Sequence, residues 1–342
     1  MREKTQQKVR LKSFLVFCAL VFFGGVNFAF SQMPPRPPAA PKTKSNGGIK
    51  IKNESGAPAE KSIAADAKVN VKLCVSEGRV KINGWERNEI RAFVNDGSEV
   101  GFRVLQKSKQ NETPVWVEIL GYDSVKNKEA NPDECLSGDE IEIDAPRNAV
   151  VSITSRRSET IIDSVARVTV ENVGGDILLS NIGQGIQAKT YEGDITVEKS
   201  SGAIMLVTTA GNIVVLDVSP SEIGDVFKAK TNSGAIILQH AEHRQIEANS
   251  NSGSIKFTGE LLSGGQYNFT AFNGLISLLI PQNSSSKINA SYGFGAFNSE
   301  IPLLNLVKSA TSNAQNLSAQ IGKGEANLNL STYSGTIQIK KQ

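Results

Sequence analysis

Acidic and amide side chains recur at a fixed distance along the middle of the chain. Asp176, Asp194 and Asn212 lie 18 residues apart, and each directly follows a glycine. If these residues stack in space, their oxygens would line one corner, and Ca²⁺ prefers such ligands. Asp and Asn are also ordinary turn residues, and the later repeats have Ala235 and Ser254 here. We therefore expect turns, and we keep Asp176, Asp194 and Asn212 only as weak metal candidates.

The two histidines form a second possible ligand group. His240 and His243 lie with Glu242 within four residues, and imidazole and carboxylate both bind zinc. The chain has no HExxH motif and no assignable fourth ligand, and the position between two repeats predicts an exposed connection. With no thiol near a histidine and no Gly-x-Ser-x-Gly elbow, nucleophilic catalysis has no visible machinery either. We predict no metal, no cofactor and no enzymatic activity.

The N-terminus has the layout of a secretory signal. Five basic residues precede an apolar run from Phe14 to Phe23, which is too short for a membrane-spanning helix of about 20 residues. We predict a signal peptide at residues 1–31 and a Pro-rich disordered linker at residues 32–65. The mature protein is expected outside the cytoplasm, in the periplasm or secreted, without stable membrane insertion.

The charge of the mature chain argues against nucleic acid as a partner. The full sequence has 37 Lys and Arg residues, 34 Asp and Glu residues and a net charge of +3. Because the predicted signal carries five basic residues and one acidic residue, the remainder is close to neutral. A near-neutral chain without a basic run has no net field to hold phosphates.

Two cysteines remain after the predicted cleavage, since Cys18 lies within the signal. In an oxidising compartment, Cys74 and Cys135 are expected to form a disulfide that closes a loop of about sixty residues. The alternative is a pair of buried free thiols.

A repeat occupies most of the chain from Val71 onward. With a glycine as position zero, apolar residues recur at positions −7, −5, +2 and +4, as around Gly193. Weaker copies centre on Ser158 and Gly295. Strong copies centre on eight glycines: Gly78, Gly175, Gly193, Gly211, Gly234, Gly253, Gly274 and Gly335.

The spacing of the repeat predicts an all-β protein. Apolar residues two positions apart lie on one face of a strand, so each unit is a strand, a tight turn and a strand. Glycine suits the turn because it adopts positive φ without steric cost, and a small Thr or Ser at position −3 fits the bend. The glycines from Gly175 to Gly274 lie 18 to 23 residues apart, which matches one coil of a single-chain β-helix, or β-solenoid.

The boundaries of the predicted domain follow from where the repeat is regular. We place a β-solenoid at residues 66–342, with an irregular N-terminal cap or inserted lobe at 84–144 and regular coils at 145–342. The C-terminal segment is expected to be the last coil, preceded by a loop at about 309–317.

Several phrases of the repeat resemble the bacterial adhesin-like family of DUF4097 type. The resemblance covers the chain from about Val71 to its end, although Ser158 replaces a turn glycine. It implies a β-helix outside the cytoplasm, similar to the head domains of autotransporter adhesins, and it brings no catalytic residues. Some relatives act in envelope stress sensing. The phrases that carry the resemblance are Val168–Ile177, Tyr191–Val197, Gly274–Pro281 and Leu330–Ile339.

These observations favour a non-catalytic, adhesin-like binding or structural protein of the bacterial cell envelope. Its partner would be a surface, a glycan or an envelope protein. The alternatives are a β-helix polysaccharide lyase or hydrolase, and an envelope-stress regulator that acts through a membrane partner. Tyr191, Phe272 and Tyr333 occupy position −2 beside the turns, but Tyr191 and Phe272 are four coils apart, about 19 Å. No continuous aromatic platform is therefore predicted.

Overall fold

A computed structural model describes residues 59–122, 135–311 and 314–342. The predicted signal peptide and most of the predicted linker lie outside these ranges. The described residues form strands and no helix, so the predicted all-β class is confirmed. The strands are β1 (Ala59–Ala64), β2 (Asn70–Trp85), β3 (Glu89–Asn95), β4 (Glu99–Lys107), β5 (Pro114–Tyr122), β6 (Leu136–Pro146), β7 (Val150–Asp163), β8 (Arg167–Gly174), β9 (Ile177–Ser180), β10 (Ile186–Glu192), β11 (Ile195–Glu198), β12 (Ile204–Ala210), β13 (Ile213–Val218), β14 (Val226–Ser233), β15 (Ile236–Ala241), β16 (Gln245–Ser252), β17 (Ile255–Thr258), β18 (Gln266–Asn273), β19 (Ile276–Ile280), β20 (Ser286–Phe294), β21 (Phe297–Ser299), β22 (Leu304–Ala310), β23 (Gln315–Ile321), β24 (Ala326–Ser334) and β25 (Ile337–Lys341).

Each regular coil consists of two strands joined at a glycine corner. The strands before the corner, from β8 through β10, β12, β14 and β16 to β18, pair in parallel and form what we call the first sheet. The strands after the corner, from β9 through β11, β13, β15 and β17 to β19, pair likewise and form the second sheet. The chain is therefore a β-solenoid, as predicted.

The core is a set of ladders of aliphatic side chains. Ile177 pairs with Ile195, and Ile195 pairs with Ile213, and all three side chains are buried. The ladder continues upward to Ile337. Each coil buries these side chains against the coils on either side of it. Because fully burying one such side chain contributes about 1.5–3 kcal/mol, each coil is stabilised chiefly by its neighbours. The predicted internal ladder of isoleucines is confirmed.

The glycine corners stack so closely that a side chain has no room there. Gly193 has φ of +138°, and a Cβ on it would lie 2.3 Å from the carbonyl oxygen of Gly175. The residue at position −3 also acts on this contact, since the Thr208 hydroxyl donates to the Gly193 carbonyl at 3.0 Å. Ser250 bonds the carbonyl of Gly234 in the same way at 2.9 Å. The small hydroxyl residues therefore satisfy corner carbonyls as well as fitting the bend.

The C-terminal coil is not the last coil of the stack, and this corrects the sequence prediction. β24 pairs with β18 on one side and with β20 on the other, in parallel on both sides. The coil made of β24 and β25 is thus inserted between the coil of β18 and β19 and that of β20 and β21. The segment predicted as a loop at 309–317 is mostly the hairpin of β22 and β23, and β23 covers β20 in antiparallel orientation.

The N-terminal end has a matching arrangement. β2 lies between β7 on one side and the pair β5 and β6 on the other. An outer coil of β5 and β6 therefore covers β2, and β3 and β4 cover that coil in antiparallel orientation. β1 in turn pairs with β3, so part of the range predicted as linker is a strand of the domain.

A disulfide joins the outer N-terminal coil to the coil beneath it. Cys74 belongs to β2, and Cys135 directly precedes β6. Their Cα atoms lie 4.6 Å apart, and 61 residues separate them in sequence. This covalent link therefore ties the cap to the stack.

We expect Gly193→Ala to destabilise the stack. The strained φ alone costs about 1–3 kcal/mol, and the approach of the Gly175 carbonyl adds to it. The melting temperature measured by circular dichroism should fall by several degrees. Gly183→Ala is the matched control, because a Cβ there meets no atom within 4 Å. Equal melting temperatures for the two variants would contradict this account of the corners.

Loss of the disulfide should also destabilise the protein. A bridge across 61 residues is worth about 4 kcal/mol when chain entropy alone is counted. The double variant Cys74→Ala, Cys135→Ala should therefore melt at a lower temperature than the oxidised protein, and reductant should lower the melting temperature of the oxidised protein only. An unchanged melting temperature in the double variant would show that the cap is held without the bridge.

Candidate binding surface

The predicted ladder of Asp and Asn exists, and its oxygens bind backbone. An Asp176 carboxylate oxygen accepts the backbone N–H of Asp194 at 2.8 Å, and an Asp194 carboxylate oxygen accepts that of Asn212 at 2.7 Å. The Asn212 side chain accepts the backbone N–H of Ala235 at 2.9 Å. Each side chain thus holds the next corner in place. Within the described ranges, no three His, Cys, Asp or Glu residues are grouped to hold a metal ion.

The histidine segment is not the exposed connection that the sequence predicted. His243 is fully buried, while His240 and Glu242 are exposed, because side chains alternate through this segment. His243 places Nε2 at 2.8 Å from the Gly202 carbonyl, whereas His240 places Nδ1 at 2.9 Å from an Asp217 carboxylate oxygen. The two imidazoles therefore point to opposite sides and serve different contacts.

The environment of His243 favours the neutral imidazole. Burial lowers its pKa, and the hydrogen bond to Gly202 and the carboxylates of Asp225 and Glu242 oppose this only in part. Since a carbonyl accepts the bond, Nε2 carries the proton and donates it. The other ring nitrogen, Nδ1, is buried without a hydrogen-bond partner among the described residues. A proton on it would be a buried charge.

Three aromatic rings form an exposed cluster at one corner of the C-terminal coils. The rings of Phe272 and Tyr333 are stacked, with centroids 4.9 Å apart and planes within 5°. Phe294 meets Tyr333 edge to face at 5.6 Å. The three residues are 48%, 46% and 70% exposed, respectively. We call Phe272, Tyr333 and Phe294 the aromatic cluster.

The sequence analysis did not predict this cluster, because its members come from coils that are not consecutive along the chain. Phe272 and Tyr333 are far apart along the chain, and they meet only because β24 pairs directly with β18. Tyr191, the third aromatic residue at position −2, is exposed four coils away on β10. The prediction of a gap between Tyr191 and Phe272 therefore holds, but a smaller group of rings exists at the C-terminal end.

We expect the stability of the protein to fall as the pH drops from 7.5 to 5.5. Because the pKa of His243 is lowered on folding, the unfolded chain binds more protons below its own pKa of about 6.5. The loss from one group is at most about 1.4 kcal/mol per pH unit. Denaturant unfolding at several pH values measures it. His243→Gln should remove most of the fall, and His240→Gln should keep it; the reverse pattern would refute the role of burial.

Comparison with known proteins places the chain in a family. The profile of Toastrack DUF4097 matches residues 48–340. A solved structure from Clostridium sporogenes, provisionally described as a cell adhesion protein, is similar at 13% identity and a TM-score of 0.22, covering 84% of this chain and 100% of that one. No curated protein matches, and no described helix is long and apolar enough to cross a membrane. The match spans most of the sequence, and the chain belongs to the Toastrack DUF4097 family.

Proposed function

We propose that this protein is a non-catalytic, adhesin-like β-solenoid that acts outside the cytoplasm. It would present the flank of its stack to a cell surface, a glycan or an envelope protein. The observation that carries the proposal is the exposed aromatic cluster of Phe272, Tyr333 and Phe294. Contiguous exposed apolar side chains commonly mark interaction sites on the surfaces of soluble proteins.

The stack prepares the aromatic cluster for binding. Phe272 and Tyr333 come from strands that are paired in register, and their rings already contact one another. Aromatic side chains offer a large contact area with few rotatable bonds. Rings held in this way lose little conformational freedom when a partner binds, so more of the contact energy appears as affinity.

The regular acidic residues support a non-catalytic role. Asp176 and Asp194 each accept a backbone N–H group of the next coil. A carboxylate used in this way stabilises the stack. A polysaccharide lyase or hydrolase would need further charged groups to converge on the same flank.

An extracytoplasmic location agrees with the sequence and with the disulfide. Residues 1–31 have the layout of a cleaved signal. The bridge between Cys74 and Cys135 would persist in an oxidising compartment, whereas the cytosol keeps thiols reduced.

A sedimentation assay tests the proposed function. The purified exported protein is mixed with bacterial envelope fractions from cells that lack it, and the bound fraction is measured. The double variant Tyr333→Ser, Phe294→Ser should bind about tenfold more weakly. Tyr191→Ser removes an equally exposed ring four coils away and should bind normally. Equal binding by all three proteins would refute a role for the aromatic cluster.

A panel of uronic-acid polysaccharides provides the complementary test. The protein should release no unsaturated or reducing sugar from any of them during prolonged incubation. Release of sugar would contradict the non-catalytic proposal and favour a lyase or hydrolase.

A further inference from the structure

The outer face of the first sheet changes character at its C-terminal end. There the sheet continues from β18 through β24, β20 and β23 to β22. One row of outward residues crosses these five strands. In strand order, this row is Asn268, Asn329, Asn289, Ser318 and Val307.

A second row runs beside the first, two residues further along the strands. It consists of Thr270, Ser331, Ser291, Asn316 and Ser309. Together the two rows line a groove of about 400 Å³, which we call the polar groove. Apart from Val307, every outward side chain in these rows ends in an amide or a hydroxyl.

The asparagines of the groove hold one another in a fixed orientation. The Asn329 amide donates to the Asn268 side-chain oxygen at 2.7 Å, and the Asn289 amide donates to that of Asn329 at 3.1 Å. Each side-chain amide has two donor hydrogens and two acceptor positions. This ladder uses one donor of Asn329 and one of Asn289, so each amide keeps hydrogen-bonding capacity for a ligand.

In the earlier coils the same two rows carry charged residues among neutral ones such as Gln187 and Met205. The residues that pair in register along them include Lys228 and Glu247 in the first row, and Glu171, Lys189 and Lys230 in the second. Within the polar groove these charges are replaced by neutral groups. Lys287 is charged but lies one row beyond the groove. A groove of neutral donors and acceptors suits a neutral ligand, because it offers no counter-charge to a carboxylate or a phosphate.

The polar groove continues into the aromatic cluster. Phe272 follows Thr270, and Tyr333 follows Ser331, each by two residues on the same outward side. Two residues of strand span about 7 Å. One elongated ligand could therefore contact the hydroxyl row and the rings together. Sugars match both surfaces, since their hydroxyls exchange hydrogen bonds with amides and hydroxyls, and their C–H groups pack against aromatic rings.

We propose that the polar groove binds a neutral glycan, a chain of hexose or N-acetylhexosamine units. The proposal rests on the proposed function as a binding protein and specifies the class of its partner. Asn268, Asn329 and Asn289 bind sugar hydroxyls, and the aromatic cluster packs against the next unit of the chain. The groove takes no acidic polysaccharide.

Calorimetric titration of the exported protein tests the proposal. The probes are cello-, malto- and chito-oligosaccharides, with oligogalacturonate as the acidic comparison. At least one neutral series should bind, and oligogalacturonate should not. Asn329→Ala should weaken binding about tenfold. Asn232→Ala is the matched control, because Asn232 is also an exposed amide paired with a neighbouring Asn, at 3.1 Å from Asn251, but lies outside the groove and two coils from Phe272.

A second variant guards against a loss of folding. Ser309→Arg lies on the fully exposed strand β22 and places a large charged side chain at the edge of the groove without touching the asparagine ladder. It should abolish oligosaccharide binding while keeping the melting temperature of the unmodified protein. Normal binding by Ser309→Arg would overturn the groove as the site.

The outcomes separate this inference from the proposed function. If envelope fractions bind through the aromatic cluster but no neutral oligosaccharide binds, the groove inference fails and a protein partner remains. If oligogalacturonate binds better than the neutral sugars, the inference also fails. If neither envelope fractions nor oligosaccharides bind, both proposals fail.

Discussion

The close contact of backbones at the glycine corners is the constraint on which the rest of the stack depends. Successive corners approach so closely that a Cβ on Gly211 would lie 2.0 Å from the Gly193 carbonyl oxygen. Side chains beside the corner then supply its hydrogen bonds. Thr208 donates to the Gly193 carbonyl, and Asp194 accepts the N–H of Asn212. Three residues of such a corner therefore act together to keep one coil in register with the next: the glycine, the hydroxyl residue at position −3 and the Asp or Asn after the glycine.

Additional strands cover the coils at the two ends of the stack. An exposed terminal coil offers unpaired backbone groups that recruit other chains. Here β2 and β24, which lie near the two ends of the described chain, are each paired on both sides. Antiparallel strands then cover the outer coils, and the disulfide ties the outer N-terminal coil to β2. Detaching β2 or β24 from the stack would thus require the loss of partners on both sides.

Since inward and corner residues hold the stack together, the outer face of the first sheet is available for other contacts. Core residues and corner residues are committed to the stack, but outward side chains contribute little to it. In the earlier coils charged side chains such as Lys228 and Glu247 are interspersed among neutral ones, whereas at the C-terminal end the outward side chains are amides, hydroxyls and the rings of the aromatic cluster. A surface that changes in this way along an otherwise uniform repeat is the natural place for the specific contacts of the protein.

The sequence alone determined the coil. Alternation of apolar residues and the glycine at each corner depend only on neighbours along the strand and on the identical coil above, so periodicity reveals them, as in the buried ladder from Ile177 to Ile213. Tertiary structure alone decided the order of the coils at the ends, the burial of His243 and the meeting of Phe272 with Tyr333. These follow from long-range pairing between strands of nearly equivalent pattern. Because the coils share one pattern, any coil could stack on any other, and the repeat does not indicate which coils are neighbours.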